Sequence, residues 1–236
     1  MGNLISANVD DFISFLKDFG VDILDYQKLE SGGEGYTIIY VSNIGAEEKE
    51  ILETCGFIEA RNDLWFIEGF EVEIDKLKQS EAFLNYFRDL EERKWRDVIE
   101  FRQRLDDIFY KYNKKTLFRT THNTPAIALK WNRKLTLNES EFNDFVIDLC
   151  KIFIEGCEEE LEGEVWKRLR GLRNTVIAHE SSKIEQIKRA REYLKELSGE
   201  EYPRKWHQFL SAQFRLIDDV LENLKSKIEG YDSGEV

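Results

Sequence analysis

The stretch RLRGLRNTVIAHE, residues 168–180, combines a cluster of cations with apolar residues at a regular spacing. Together with Val165 just before it, its apolar residues Leu169, Leu172 and Val176 recur in steps of three and four. This is the spacing of one face of an α-helix. The pattern predicts a helix over about 164–178 whose apolar face packs against other helices.

Helical periodicity extends to both sides of this segment. The predicted helices cover about 80–113, about 142–153 with Asn138 as N-cap and Glu141 three residues later, about 183–197 before Gly199, and a last segment after Pro203. Between the first two, the basic stretch 114–138 is predicted to be a long loop. Five helices with short connections predict an all-α antiparallel bundle over residues 79–236.

Residues 1–78 have a different pattern and predict a small α+β module of unknown role. Helical spacing occurs from Val9 to Phe19 and from Ala46 to Cys55. Strands are predicted at 23–29, 36–41, 56–60, 64–68 and through Phe70, Val72 and Ile74. The turn Gly32-Gly33-Glu34-Gly35 lacks the Lys-Ser/Thr of a phosphate-binding loop, so a hairpin turn is favoured. The whole chain is predicted to be mostly α.

Composition narrows the class of protein. The chain has 236 residues, of which 42% are hydrophobic and 34% charged, with only two prolines. This is typical of a helix-rich protein with a packed core. No apolar run approaches the roughly 20 residues that span a bilayer, so no integral membrane association is expected. Met1 to Ser6 fit the N-myristoylation pattern at Gly2; otherwise no signal peptide is seen, and a cytoplasmic location is expected.

Cysteine and histidine usage indicates neither a disulfide framework nor a metal site. Cys55, Cys150 and Cys157 form no CxxC pair, and the three histidines are scattered. Cys150 and Cys157 are expected to share one face of a helix as core thiols, too far apart to be bridged. No metal and no cofactor is predicted.

The net charge of -13 argues against binding of nucleic acid, but the charge is unevenly distributed. Two basic segments, 114–138 and 165–183, contain almost no acidic residue. Their candidate RNA contacts are Lys167, Arg168 and Arg170 in one segment, and Arg119, His122, Lys130 and Arg133 in the other. For the first group, the alternative is that these side chains are solvated helix charges. For the second group, the loop either binds RNA through phosphate contacts and base stacking, or Phe118 and Trp131 only attach it to the bundle.

Arg173, Asn174 and His179 carry a resemblance to a known family. An arginine, a polar residue and a histidine, with five residues between arginine and histidine, resemble the signature of the HEPN superfamily. The resemblance covers about residues 80–230. It implies a HEPN-like helical bundle and a metal-independent RNA endonuclease that leaves a 2',3'-cyclic phosphate. It also implies a toxin or defence effector with a cognate inhibitory protein as a partner.

The residue types suit that chemistry. Histidine exchanges protons near neutral pH, and arginine presents a forked cation to phosphate. On an unbroken helix, however, Arg173 and His179 lie about 120° apart. Either the helix ends before His179, or two subunits build one site, as the family resemblance implies, and we therefore predict a homodimer. The alternatives are an Arg173–Glu180 surface pair and an inactive HEPN-like module that binds RNA, a nucleotide or a protein.

Overall fold

The computed structural model describes residues 8–61, 63–119, 123–157, 161, 163–177 and 184–233. The chain divides into two compact units, Met1–Phe87 and Arg88–Val236. The division falls inside the long helix Glu81–Asn113, nine residues after the predicted boundary between 78 and 79. Among the described residues, no helix combines the length and the apolar character needed to cross a membrane.

The first unit is an α+β module. Its elements are α1 (Val9–Phe19), β1 (Asp22–Ser31), β2 (Glu34–Ser42), α2 (Ala46–Thr54), β3 (Ile58–Arg61), β4 (Leu64–Glu68) and a 3₁₀ turn (Ile74–Gln79). The strands form one antiparallel sheet in the order β1-β2-β4-β3. Gly32 and Gly33 both have positive φ, as a tight hairpin turn requires, which confirms the predicted hairpin.

One predicted strand of this unit is wrong. Instead of a strand through Phe70, Val72 and Ile74, there is an isolated bridge between Asn8 and Glu71, followed by the 3₁₀ turn. The chain leaves the sheet at Gly69, where φ is +83°. Val72 and Ile74 are nevertheless buried. Alternating burial therefore arose here without a strand.

The core of the first unit lies between the helices and one face of the sheet. Thr37, Ile39 and Val41 of β2 and Trp65 and Ile67 of β4 are buried on this inner face. Lys28 of β1 is paired with Thr37 and therefore lies on this inner face. Helix α1 covers the same face, because the Asp10 carboxylate of α1 forms an ion pair of 2.6 Å with the Lys28 amine. The other face of the sheet is only partly covered.

The second unit is helical. Its elements are the larger part of α3 (Glu81–Asn113), then α4 (Asn123–Lys130), α5 (Glu139–Cys150) continued by a π-helical turn (Lys151–Glu155), α6 (Glu164–Gly171) continued by a π-helical turn (Leu172–Ile177), α7 (Ile184–Ser198) and α8 (Trp206–Ser233). The fold class is thus a small α+β module followed by helices, mostly α overall.

Local signals placed several helix ends correctly. The Asn138 side chain accepts a hydrogen bond of 3.0 Å from the Glu141 backbone N–H, as expected for the N-cap of α5. Helix α7 ends before Gly199, which has a φ of +85°. The predicted single helix over 164–178 is present, but its second half is π-helical.

The basic stretch 114–138 is not a continuous loop, contrary to the prediction. It contains α4, in whose first turn Pro125 lies, a position that tolerates proline. Ile127 and Trp131 are buried, and the Trp95 indole of α3 donates a hydrogen bond of 2.9 Å to the Ala128 carbonyl. Packing against α3 and the apolar core of the second unit therefore gives this polar segment its structure.

The cysteine prediction is corrected in part. Cys55 and Cys150 are buried thiols. Cys157, however, lies beyond Gly156, where it forms an isolated β-bridge with Phe118, so it does not share a helix face with Cys150. Its side chain is only partly buried. A Cβ at Gly156 would lie 2.8 Å from the Lys151 carbonyl oxygen, which explains why the turn there needs glycine.

Candidate functional site

A π-helical turn carries the arginine and asparagine of the sequence motif. Helix α6 buries Val165, Trp166 and Leu169 and then widens over Leu172–Ile177, which contains Arg173 and Asn174. π-Helical turns are rare, and they occur frequently at functional sites. The motif therefore lies at the irregular end of an otherwise well-packed helix.

A surface cavity of about 430 Å³ adjoins this turn. Its walls come from α6 and α7, and Asn174 is part of its lining. Four of its lining residues are cationic: Lys167, Arg168, Arg170 and Arg189. Among the described residues that line it, Glu164 is the only acidic one. The structure thus brings the three cations predicted from residues 165–183 together with Asn174 in one cavity.

The positive charge of the cavity is partly compensated. Arg168 pairs with Glu196 at 2.6 Å and with Glu164 at 3.4 Å. Arg189 pairs with Glu185 at 3.2 Å on the surface of α7. Lys167 is exposed to solvent. Such exposed ion pairs contribute little free energy, so an incoming phosphate can replace the carboxylates at small cost.

Arg173 is held on another side of the same turn. Its guanidinium pairs with the Glu155 carboxylate at 2.6 Å, and its side chain is 38% exposed. Glu155 is the last residue of the π-helical turn that follows α5. The ion pair therefore connects the two π-helical turns of the unit, and Arg173 is absent from the described lining of the cavity.

The π-helical turn after α5 is supported from α3. Arg102 is buried, and its Nε donates a hydrogen bond of 3.3 Å to the Ile152 carbonyl. Its guanidinium lies 4.1 Å from the centre of the Phe118 ring. Burial lowers the pKa of Arg102, and the nearby Asp106 carboxylate opposes this effect. These contacts hold the segment that presents Glu155.

The cations of the second basic segment have partners inside the chain. Lys130 pairs with Asp148 at 2.7 Å, and Arg133 pairs with Asp89 and Glu92 of α3. The backbone N–H of Arg119 donates a hydrogen bond of 2.7 Å to the Gly156 carbonyl. None of the described residues of this segment lines the cavity at α6 and α7.

Trp131 does not provide an exposed stacking surface. It is fully buried, and its indole N–H donates a hydrogen bond of 3.0 Å to Asp148. Phe118 is buried as well. The alternative prediction, that these two aromatic residues fasten the segment to the bundle, is confirmed.

The two candidate histidines, His122 and His179, lie outside the described residues, as does Glu180. The described part of α6 and its π-helical turn ends at Ile177. The third histidine, His207, is buried at the start of α8. In the described ranges, no three His, Cys, Asp or Glu side chains converge on a metal-ion position.

The sequence patterns did not reveal the α7 side of the cavity or one partner of the motif. Gln186 and Arg189 line the cavity from α7, and Glu155 pairs with Arg173. Gln186 and Arg189 are three apart and so share a helix face, but nothing in the neighbouring sequence indicates that this face borders α6.

No family model, no curated protein and no solved structure matches this chain.

Proposed function

We propose that this protein is a metal-independent RNA endonuclease of the HEPN type, acting as a homodimer. The observation that carries the proposal is the cationic cavity between α6 and α7, lined by Lys167, Arg168, Arg170 and Arg189 and adjoining the motif residue Asn174. Guanidinium and ammonium groups are the usual ligands of nucleic-acid phosphates. Such an enzyme fits the role of a toxin or defence effector that a cognate protein inhibits.

In the proposed reaction, RNA supplies its own nucleophile. The ribose 2'-hydroxyl attacks the adjacent phosphorus, the P–O5' bond breaks, and the products are a 2',3'-cyclic phosphate and a 5'-hydroxyl. His179 accepts the 2'-hydroxyl proton or donates the proton that the leaving oxygen needs. Two copies of His179, one from each subunit, would divide these two tasks.

Arg173 would stabilise the negative charge that develops on the phosphate. Its ion pair with the Glu155 carboxylate supports this role, because a phosphate oxygen is also an anionic acceptor. A phosphate would take the place of the Glu155 carboxylate. Asn174, on the cavity wall, would donate a hydrogen bond from its amide to a phosphate or ribose oxygen.

Lys167, Arg170 and Arg189 would contact the phosphates on either side of the cleaved bond. These contacts neutralise charge without reading sequence, so RNA affinity would fall with rising salt, by about 0.7 logarithmic units per contact for each tenfold increase. Removing one cation would reduce this slope. Lys167→Ala and Arg189→Ala test the assignment by binding titrations at several salt concentrations.

Two observations favour a second candidate function. The ion pair with Glu155 neutralises the guanidinium that catalysis requires, and the whole chain carries a net charge of -13. Both facts fit a HEPN-like module that forms dimers and binds RNA, a nucleotide or a protein without cleaving. The assay must therefore separate cleavage from binding.

The test incubates the protein with a mixed RNA pool in EDTA and analyses the 3' ends of the products. The parent should cleave, and Arg173→Ala and His179→Ala should each lose at least about 100-fold of the rate. Arg104→Ala is the matched control, because Arg104 is an exposed arginine of α3 that pairs only at 3.5 Å with Asp232. It should keep the parent rate.

Two outcomes would count against the enzyme. Binding of the RNA pool without cleavage would favour the second candidate function. Cleavage that persists in both motif variants would show a contaminating or different activity, and the assignment of Arg173 and His179 would be wrong.

A further inference from the structure

The outer face of the sheet in the first unit is apolar at its centre and charged at its corners. In an antiparallel sheet, directly paired residues lie on the same face, so the register assigns each residue to a face. One row across the sheet reads Gln27, Ile38, Phe66 and Ile58, and the next reads Asp25, Tyr40, Leu64 and Arg61. Ile38, Phe66, Tyr40 and Leu64 are therefore neighbours at the centre.

These residues differ in burial from those on the inner face. Ile39 and Trp65 are fully buried, whereas Ile38 and Phe66 are only partly covered. At the edges, Ile58 is 57% exposed and Leu29 is 44% exposed. A continuous apolar patch with a charged rim is the usual anatomy of a protein–protein interface.

The charged corners decide which partner fits. Asp25 lies on the edge strand β1, and Arg61 lies on the opposite edge strand β3, in the same row. Asp25 is held in place because its carboxylate accepts hydrogen bonds from the Tyr26 backbone N–H at 2.8 Å and from the Gln27 amide at 3.3 Å. Both Asp25 and Arg61 are exposed.

A twofold axis parallel to the strands makes this face complementary to itself. Such an axis places β1 over the second copy's β3 and β2 over its β4, and keeps each row over the same row. Asp25 then faces the second copy's Arg61, and this pair occurs twice. Ile38 faces the second copy's Phe66, and Tyr40 faces its Leu64. Opposite charges and apolar side chains therefore meet without any change of backbone.

We infer that the outer face of this sheet is a homodimer interface, in which two four-stranded sheets pack face to face as a β-sandwich. Aligned sheets pack about 10 Å apart and about 30° from parallel, and the natural twist of the strands accommodates that angle. The occupant of the face is a second copy of this chain, since Asp25 and Arg61, at opposite ends of one row, meet each other's copies across the twofold axis. This inference does not depend on the proposed nuclease activity.

The experiment measures molar mass by light scattering, over a range of concentrations, for four forms of the full chain. The parent should have the mass of a dimer or of a higher even assembly. Asp25→Arg and Arg61→Asp each place like charges opposite one another twice, which should raise the dissociation constant of this interface at least about tenfold and halve the mass at low concentration. The variant with both substitutions restores opposite pairs and should recover the parent mass.

Lys17→Asp is the matched control. It makes the same kind of charge reversal at an exposed position on α1, which covers the inner face of the sheet, and should leave the mass unchanged. Far-UV circular dichroism, together with the tryptophan fluorescence to which Trp65 in the sheet contributes, checks that each variant keeps its fold. Ile38→Lys is a second way to disrupt the interface, through its apolar centre.

A monomeric parent, unchanged mass in both single variants, or no recovery in the double variant would overturn the inference. If the chain forms dimers only through the second unit, all the variants of the first unit remain dimers. That result would refute the sheet interface and leave the proposed nuclease untouched. Conversely, loss of cleavage without any change in these masses bears only on the nuclease.

Discussion

Glu91 of α3 is a carboxyl group buried in the second unit, and its protonation should govern stability at neutral and alkaline pH. The side chain is fully buried, and neither of its oxygens has a hydrogen-bond partner among the described residues. Burial raises the pKa of Glu91 to about 8; the backbone N–H groups of Arg133 and Lys134 oppose this effect without reaching hydrogen-bond geometry. At pH 7 the folded protein therefore holds a proton on this carboxyl.

The sign of the pH dependence follows from this shift. In the unfolded chain Glu91 titrates near its ordinary value of 4.5, so between that value and about 8 the folded state binds more protons than the unfolded state. The free energy of unfolding then falls as the pH rises through this window, by about 1.4 kcal/mol per pH unit. From pH 6 to pH 9 the loss due to Glu91 is about 3 kcal/mol, because the slope ends near the pKa of about 8.

The substitution Glu91→Gln removes the titration and keeps the shape of the side chain. The difference in unfolding free energy between variant and parent should increase in favour of the variant by about 3 kcal/mol from pH 6 to pH 9. Urea denaturation, followed by tryptophan fluorescence, measures it, since Trp95, Trp131, Trp166 and Trp206 lie in the second unit. The change with pH is the quantity tested, because the buried Gln amide adds only a constant cost.

Glu100→Gln provides the control, as Glu100 is an exposed carboxylate on the same helix. Its difference from the parent should stay constant over this pH range. Parallel curves for the parent and Glu91→Gln would refute the reasoning, because they would show that Glu91 is ionised in the folded protein at pH 6.

Three further predictions concern single side chains. Gln213→Ala should lower the free energy of unfolding, measured by urea denaturation, by about 3 kcal/mol. The Gln213 amide oxygen accepts a hydrogen bond of 2.8 Å from the buried Thr136 N–H, and its amide nitrogen donates one of 2.8 Å to the Lys134 carbonyl. A loss below about 1 kcal/mol would contradict this. Asp148→Ala should cost about 2 kcal/mol in the same assay, since this buried carboxylate accepts hydrogen bonds from two lysines and an indole N–H. An unchanged denaturation midpoint would show that those contacts contribute nothing. Glu155→Gln should tighten binding of single-stranded RNA about two- to fivefold, measured by fluorescence anisotropy, because it removes the carboxylate that competes with phosphate for Arg173; equal or weaker binding would count against a role for Arg173 in phosphate binding.

The candidate site was predicted from the sequence only on its α6 side. Lys167, Arg168 and Arg170 were identified because they cluster along one segment, and with Asn174 they line one cavity. Arg189 of α7 was missed, since a cation on an amphipathic helix is most often a solvated charge. Of the second basic segment, Lys130 and Arg133 form ion pairs within the chain, which a count of charges along the sequence does not reveal.

By itself, the sequence determined most of the helices and strands. Each helix and strand is marked by signals between residues that are close in sequence: periods of 3.6 and 2 residues, the Asn138 cap of α5 and the glycine after α7. Such signals can be read from the sequence without knowing the fold. The tertiary structure alone decided that residues 123–130 form a helix, that Arg173 pairs with Glu155, and that one face of the sheet is only partly covered. These three features depend on contacts between residues that are far apart in sequence. The free energy of such contacts cannot be predicted from the spacing of nearby residues.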